Sequence, residues 1–131
     1  MSRIEEAIRL VLQFAEALNS HDVGKIREVM GDDCRYEPSD PVSEDNILIG
    51  SNVIADFWTH RFQEYPNFRI KIEEVFGLGK RCVLLWRRED SNNASDFQVL
   101  RGADIFHVRD GLICEQLSYI KGTYQSRELT Q

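Results

Sequence analysis

Over the first 18 residues the apolar positions recur at a spacing of three and four: Ile4, Ala7, Ile8, Val11, Ala15 and Leu18, with Phe14 beside them. This is the period of a helix with one face against a core, so it predicts a helix over residues 3–18, stopped by the polar stretch 19–22. Val23, Ile26, Val29 and Met30 repeat the pattern over a shorter second helix, ended by the Gly-Asp-Asp of 31–33. Residues 34–37 read as a short strand, and the Pro, Ser and Asp of 38–46 as a loop. Ser51 is placed to cap a third helix whose inward stripe is Val53, Ile54, Phe57, Trp58, Arg61 and Phe62, and Pro66 follows its end.

Beyond residue 67 the period falls to two. FRIKIEEVF (68–76), KRCVLLWRRE (80–89), FQVLRGADIFHVR (97–109) and LICEQLSYIK (112–121) predict strands, separated by Gly-Leu-Gly, by the polar SNNAS and by Asp110-Gly111. Asp-Gly between apolar strands is a hairpin signal. The order predicts an α+β fold, helices on one face of a curved antiparallel sheet, in a single domain spanning 1–131 with no repeat or internal linker.

The third long strand raises a chemical question. Strict alternation puts Leu100, Gly102, Asp104, Phe106 and Val108 on one face and Phe97, Val99, Ala103 and Ile105 on the other. Both faces are apolar, yet three helices cover only one, so the second predicts a homodimer packed sheet back to sheet back; a β-bulge that mixes the faces is the alternative. On the first face stands Asp104, a carboxylate among hydrophobic neighbours.

Composition narrows the setting. At 131 residues, 42% hydrophobic and 29% charged, the chain has the length of one domain with a real core. A formal net charge of −6 without a basic run excludes a phosphate-backbone partner, so no nucleic acid is expected. No apolar run approaches the roughly 20 residues that span a bilayer, and MSRIEEAIRL lacks a signal-peptide core, so no membrane role and a cytoplasmic location are expected. Cys34, Cys82 and Cys114 are odd in number, far apart and set among apolar residues, which fits reduced core thiols. The acidic residues form no HExxH or EF-hand series, so neither a metal nor another cofactor is implied.

Three stretches carry a resemblance: FAEALNSHDVGKIREVMGDDCRYE, IGSNVIADFW and RGADIFHVRDGLICEQLSYIKG. Together they resemble the nuclear transport factor 2-like superfamily, and within it the SnoaL-like and ketosteroid isomerase-like enzymes. The resemblance implies a cone-shaped, cystatin-like α+β domain, its curved antiparallel sheet wrapped around three N-terminal helices and a deep apolar pocket, often as a dimer. In the isomerase pattern a strand Asp followed two residues later by Phe is kept neutral and donates a hydrogen bond to an enolate oxygen; Asp104 and Phe106 match it. Desolvation among Leu100, Trp86 and Phe106 would raise the pKa of Asp104 by that physics.

The remaining isomerase residues match less completely. Where the family's first helix has a donor Tyr, this chain has Phe14, which has no hydroxyl. The family's base lies in an E-D-P-V run; Asp40-Pro41-Val42 matches with two residues inserted, and Glu37-Pro38 matches without a gap, but Glu37 points away from the face of Tyr36. Epoxide hydrolases of this fold use a strand Arg-x-Asp and a final-strand Asp; Arg101 and Asp104 are three apart, hence on opposite faces, and Lys121 takes the last position. The dehydratase histidine pair has no counterpart among His21, His60 and His107. SnoaL-like cyclases need little beyond one acid in an apolar cavity.

What the resemblance implies, then, is proton transfer without a cofactor on a hydrophobic carbonyl or polycyclic small molecule. Asp104 is its acid or hydrogen-bond donor and Asp40 its candidate base, with Phe14, Trp58, Trp86, Phe106 and Tyr119 as pocket walls. The alternative is a noncatalytic ligand-binding or dimeric interaction module of the same fold, with Asp104 structural, accepting backbone amides or pairing with Arg87, Arg101 or Lys121.

Overall fold

The computed structural model describes residues 2–38, 46–89 and 98–124. Within them the chain forms α1 (Arg3–Ser20), α2 (Val23–Val29), β1 (Met30–Glu37), β2 (Leu48–Ile49), α3 (Ser51–Glu64), β3 (Ile70–Leu78), β4 (Arg81–Arg88), β5 (Gln98–Arg109) and β6 (Leu112–Tyr124). Ser2 caps α1, its hydroxyl oxygen accepting from the Glu5 amide at 3.1 Å, and the helix closes where His21 turns left-handed at φ 55°. Asp22 caps α2 by accepting from the Lys25 amide at 3.0 Å.

Two boundaries differ from the spacing-based expectation. Helix α2 stops at Val29 because Met30 is already extended, so Gly31, Asp32 and Asp33 belong to β1 instead of to a helix-ending turn. At α3 the capping position is Gly50, whose φ of 105° a side chain would resist, and Ser51 is the first helical residue with no side-chain cap.

The strands form one open sheet in the order β2-β1-β6-β5-β4-β3. It is mixed, and this corrects the antiparallel expectation: β1 runs parallel to β6, with Tyr36 beside Gln116 and Glu37 beside Leu117. Between β1 and β6 the chain makes β2, α3 and three further strands, and a parallel pair requires a long crossover of this kind. The two-residue β2 went unpredicted because two residues carry no periodicity.

Asp110 and Gly111, at φ 55° and 76°, make the tight turn between β5 and β6. Just beyond it the ladder slips: Val108 faces Ile113, but His107 faces Glu115, leaving Cys114 as a bulge. Ile113 and Gln116, three apart, therefore both point inward and are fully buried.

The inner face of the sheet, with Cys82, Leu84, Trp86, Phe106 and Val108, is covered by α1 through Ala7, Val11, Phe14 and Leu18 and by α3 through Ile54, Trp58 and Phe62. Phe14 stands edge-on to Phe106 at 5.6 Å and to Trp58 at 6.4 Å, which ties both helices to β5. The outer face carries Val83, Leu85, Ala103, Ile105 and Leu117, all half-buried, with Phe76 and Tyr119 exposed. No helix among the described residues is long and apolar enough to cross a membrane.

Candidate functional site

Among the described residues Asp104 is the only buried charged side chain, 6% exposed on the inner face of β5. The strand register surrounds it with donors. Ser118 stands opposite it on β6 and donates its hydroxyl to Oδ1 at 2.7 Å. Trp86 reaches across from β4, its Nε1 donating to the same oxygen at 3.1 Å, and Gln116 Nε2 donates to Oδ2 at 2.8 Å.

Burial pushes the pKa of Asp104 above the ordinary carboxylate range, because a charge there has lost its water; the hydrogen bonds from Ser118, Gln116 and Trp86 pull the other way. The outer-face cations are not its partners: Arg101 is bridged to Glu73 at 3.1 Å, and Arg87 and Lys121 are exposed on that same face.

Trp86 can lie across β5 because its ladder partner is Gly102. A Cβ there would collide with Cζ2 of the indole and stand 2.6 Å from its Cε2. Two buried polar atoms close to this network have no partner among the described residues: Gln116 Oε1 and Trp58 Nε1.

Asp104 and Ser118 open on a cavity of about 180 Å³. Leu84 and Trp86 form its sheet wall, Leu18, Phe57 and Trp58 its helical wall, and the more exposed Arg61, Tyr65 and Arg88 its mouth. Trp58 is the hub of this wall, stacked on Tyr36 at 6.2 Å and in contact with Phe57, Phe62 and Phe68. Two larger depressions, about 460 Å³ beside Lys80 and Arg109 and about 510 Å³ between Leu12, Glu16 and Ile72, have no buried titratable group in their walls.

Of the expected pocket residues, Trp58 and Trp86 line the cavity with Asp104. Phe14 and Phe106 do not; both are fully buried in the core behind it. Tyr119 does not either: it pairs with Ala103 on the outer face and is 58% exposed, because its parity is opposite to that of Ser118. Asp40 lies outside the described residues. Glu37 forms an ion pair with Arg35 at 3.0 Å, on the strand face opposite Tyr36.

The histidines are dispersed: His21 stacks on Phe62 at 4.1 Å with its Nε2–H donating to the Phe68 carbonyl, His60 is exposed on α3, and His107 is on the outer face. No group of three metal-ligating side chains occurs among the described residues. Sequence reasoning missed Ser118, Gln116 and Arg88, and it placed Arg61 on the inward stripe of α3 without giving it a role in the site. Gly102 was placed on the right face, but its partnership with Trp86 was not.

The sequence profile of the SnoaL-like domain family matches residues 11–116. Among solved structures, an NTF2-like protein of unknown function from Mesorhizobium loti is 25% identical, with 93% of this chain and 96% of that one covered and a TM-score of 0.77. A candidate ketosteroid isomerase from Kribbella flavida is 17% identical over 95% of this chain and 84% of its own, TM-score 0.75. A candidate SnoaL-like polyketide cyclase from Jannaschia is 16% identical over 90% and 87%, also at 0.75. These last two share the fold alone. No curated protein matches the sequence significantly.

Proposed function

This chain belongs to the SnoaL-like domain family, and from that premise we propose that it is a cofactor-independent enzyme moving a proton on a hydrophobic carbonyl compound. The observation that carries the reading is Asp104, a carboxyl whose affinity for a proton is raised by burial, at the inner wall of an aromatic cavity. Protonated, it donates to a carbonyl oxygen and stabilises the enol that forms; ionised, it accepts a proton from the carbon beside that carbonyl. Asp40 is the second carboxylate we propose for this exchange; Pro38, two residues before it, lines the cavity.

A probe small enough for the cavity tests the idea. Isomerisation of 3-cyclohexen-1-one to the conjugated enone moves one proton and is read by ultraviolet absorbance. Wild type should accelerate it and Asp104→Asn should not, with Asp40→Asn reporting on the base. Equal rates with wild type, with the variant and without protein would sink the enzymatic reading.

A second reading has its own observation. Three donors already occupy the carboxylate, which is how a structural acid is held. On that reading the chain binds a ligand without turning it over, and binding that survives Asp104→Asn unchanged would favour it.

We further propose a homodimer through the outer sheet face, where Phe76, Val83, Leu85, Ile105, Leu117 and Tyr119 form an apolar strip bordered by the Arg81–Glu115 and Arg101–Glu73 ion pairs. A cytoplasmic location fits the cysteines, which form no disulfide; burial raises the Cys34 thiol to about 12 and the Cys82 thiol to about 11.

A further inference from the structure

We infer that the ligand of this cavity is a single-ring carboxylic acid, seated with an uncharged oxygen at Asp104 and its carboxylate at Arg61 in the mouth. This substrate class rests on the proton-transfer reading of Asp104, and it narrows that reading away from polycyclic molecules.

The volume sets the body of the ligand. A dry cavity of about 150 Å³ accommodates benzene, and the cavity beside Asp104 measures about 180 Å³. That is room for one substituted ring. A fused four-ring skeleton does not fit without displacing Trp58 or Trp86, and both are held, Trp58 by its ring contacts and Trp86 by Asp104 and Gly102.

Charge at the mouth sets the tail. Arg35, Arg69, Arg81, Arg101 and Arg109 each bridge to a carboxylate. Arg61 does not: among the described residues its guanidinium meets only ring faces, 5.1 Å from the Phe57 centroid and 5.8 Å from that of Tyr65. Arg9, Arg27 and Arg87 also make no ion pair among the described residues, but they are exposed to water, whereas Arg61 is half-buried at the cavity mouth without a carboxylate to neutralise it. Stacking on a ring engages the flat face of a guanidinium and leaves its N–H edge to donate, in the plane that a carboxylate matches with two parallel bonds. The Arg88 guanidinium also lies against this ring, 5.3 Å from the Tyr65 centroid.

The two ends of the cavity impose one orientation. A ligand carboxylate beside Asp104 would meet a like charge when Asp104 is ionised and would be desolvated with no cation acting at that end when it is protonated, whereas a hydroxyl or carbonyl oxygen exchanges hydrogen bonds with Asp104 and Ser118 at no such cost. Between the ends the walls are Leu18, Leu84, Phe57, Trp58 and Trp86, which suit a ring and offer a charge nothing.

Calorimetric titration of the full chain with 4-hydroxyphenylacetate, its methyl ester and estradiol tests this. The acid should bind wild type about tenfold more tightly than the ester, the worth of one charge-assisted contact, and estradiol should not bind. In Arg61→Met, whose melting temperature serves as the folding control, acid and ester should become equal; Arg61→Lys should fall between. Equal affinity of acid and ester for wild type, tighter binding of estradiol, or no binding of the acid would overturn the substrate class. The failures separate. Ester or estradiol binding that Asp104→Asn abolishes would leave Asp104 as the oxygen-reading acid and remove only the carboxylate. A tenfold acid preference in a protein that leaves 3-cyclohexen-1-one unchanged would keep the acid site and remove the enzymatic reading.

Discussion

Burial raises the proton affinity of Asp104 while three donors lower it, and Gln116 can serve either protonation state. As the amide stands, Nε2 donates to the carboxylate and Oε1 is left buried without a partner. Half a turn about its last bond presents Oε1 as acceptor for a protonated Asp104. Burial raises the folded-state pKa above the unfolded value, so the sign follows. Below the unfolded carboxylate pKa both states hold the proton and Asp104 costs nothing. As pH rises through the folded pKa, the native state must carry a buried charge and stability is lost. Asn at this position has no such titration, so the melting temperature of Asp104→Asn relative to wild type should climb between pH 4 and pH 8. A gap that shrinks over that range would mean the three donors outweigh desolvation and that Asp104 stays ionised. Gly102 is the second residue on which the network depends. Gly102→Ala should push the Trp86 indole off β5, destabilise by about 1–3 kcal/mol as overpacking does, and shift tryptophan emission to longer wavelength as Nε1 leaves Asp104.

At the scale of elements, the cavity depends on how helix ends are tied to strand starts. Asn19, at the end of α1, donates from Nδ2 to the Ile70 carbonyl at 3.0 Å and accepts the Ile70 amide at Oδ1 at 2.8 Å, closing a two-bond clamp on the start of β3. Asn19→Ala leaves both backbone groups part-buried and unmatched, a cost of about 2–4 kcal/mol; urea unfolding checks it, and an unchanged midpoint would show that water replaces the clamp. Ile70 lines the cavity, so the variant should also weaken whatever binds there. Elements whose period extends over many residues were legible in the sequence: α1, α3, the four meander strands and the inward parity of Asp104 follow from spacing alone. The partners of Asp104 were not, for a reason of one residue. Counting back from the Asp110-Gly111 turn without a bulge sets Asp104 opposite Leu117; the bulge at Cys114 moves the pairing to Ser118 and turns the polar residues of β6 inward. Nothing in LICEQLSYIK announces that slip. Nor does composition show that Arg61 and Arg88, on different elements, flank one tyrosine, because that juxtaposition is tertiary.

At the scale of the whole molecule, the proposed dimer must reconcile an apolar strip with like net charges. Each chain carries a formal charge of −6, so two copies repel at long range, while the ion pairs bordering the strip are satisfied within each copy. Salt screens that repulsion over a Debye length of about 10 Å at 0.1 M and leaves burial of Phe76, Ile105, Leu117 and Tyr119 untouched. Dimerisation should therefore tighten as sodium chloride rises from 50 to 500 mM, a sign opposite to that of an interface built on charge. Sedimentation equilibrium across that range measures it, and Ile105→Asp, which sets a carboxylate in the middle of the strip, should leave a monomer at every concentration of salt. A dimer weakened by salt would move the contact from the strip to its charged border. A monomer throughout at micromolar protein would mean that the strip stands open to water, a surface of that kind being what soluble monomers usually avoid.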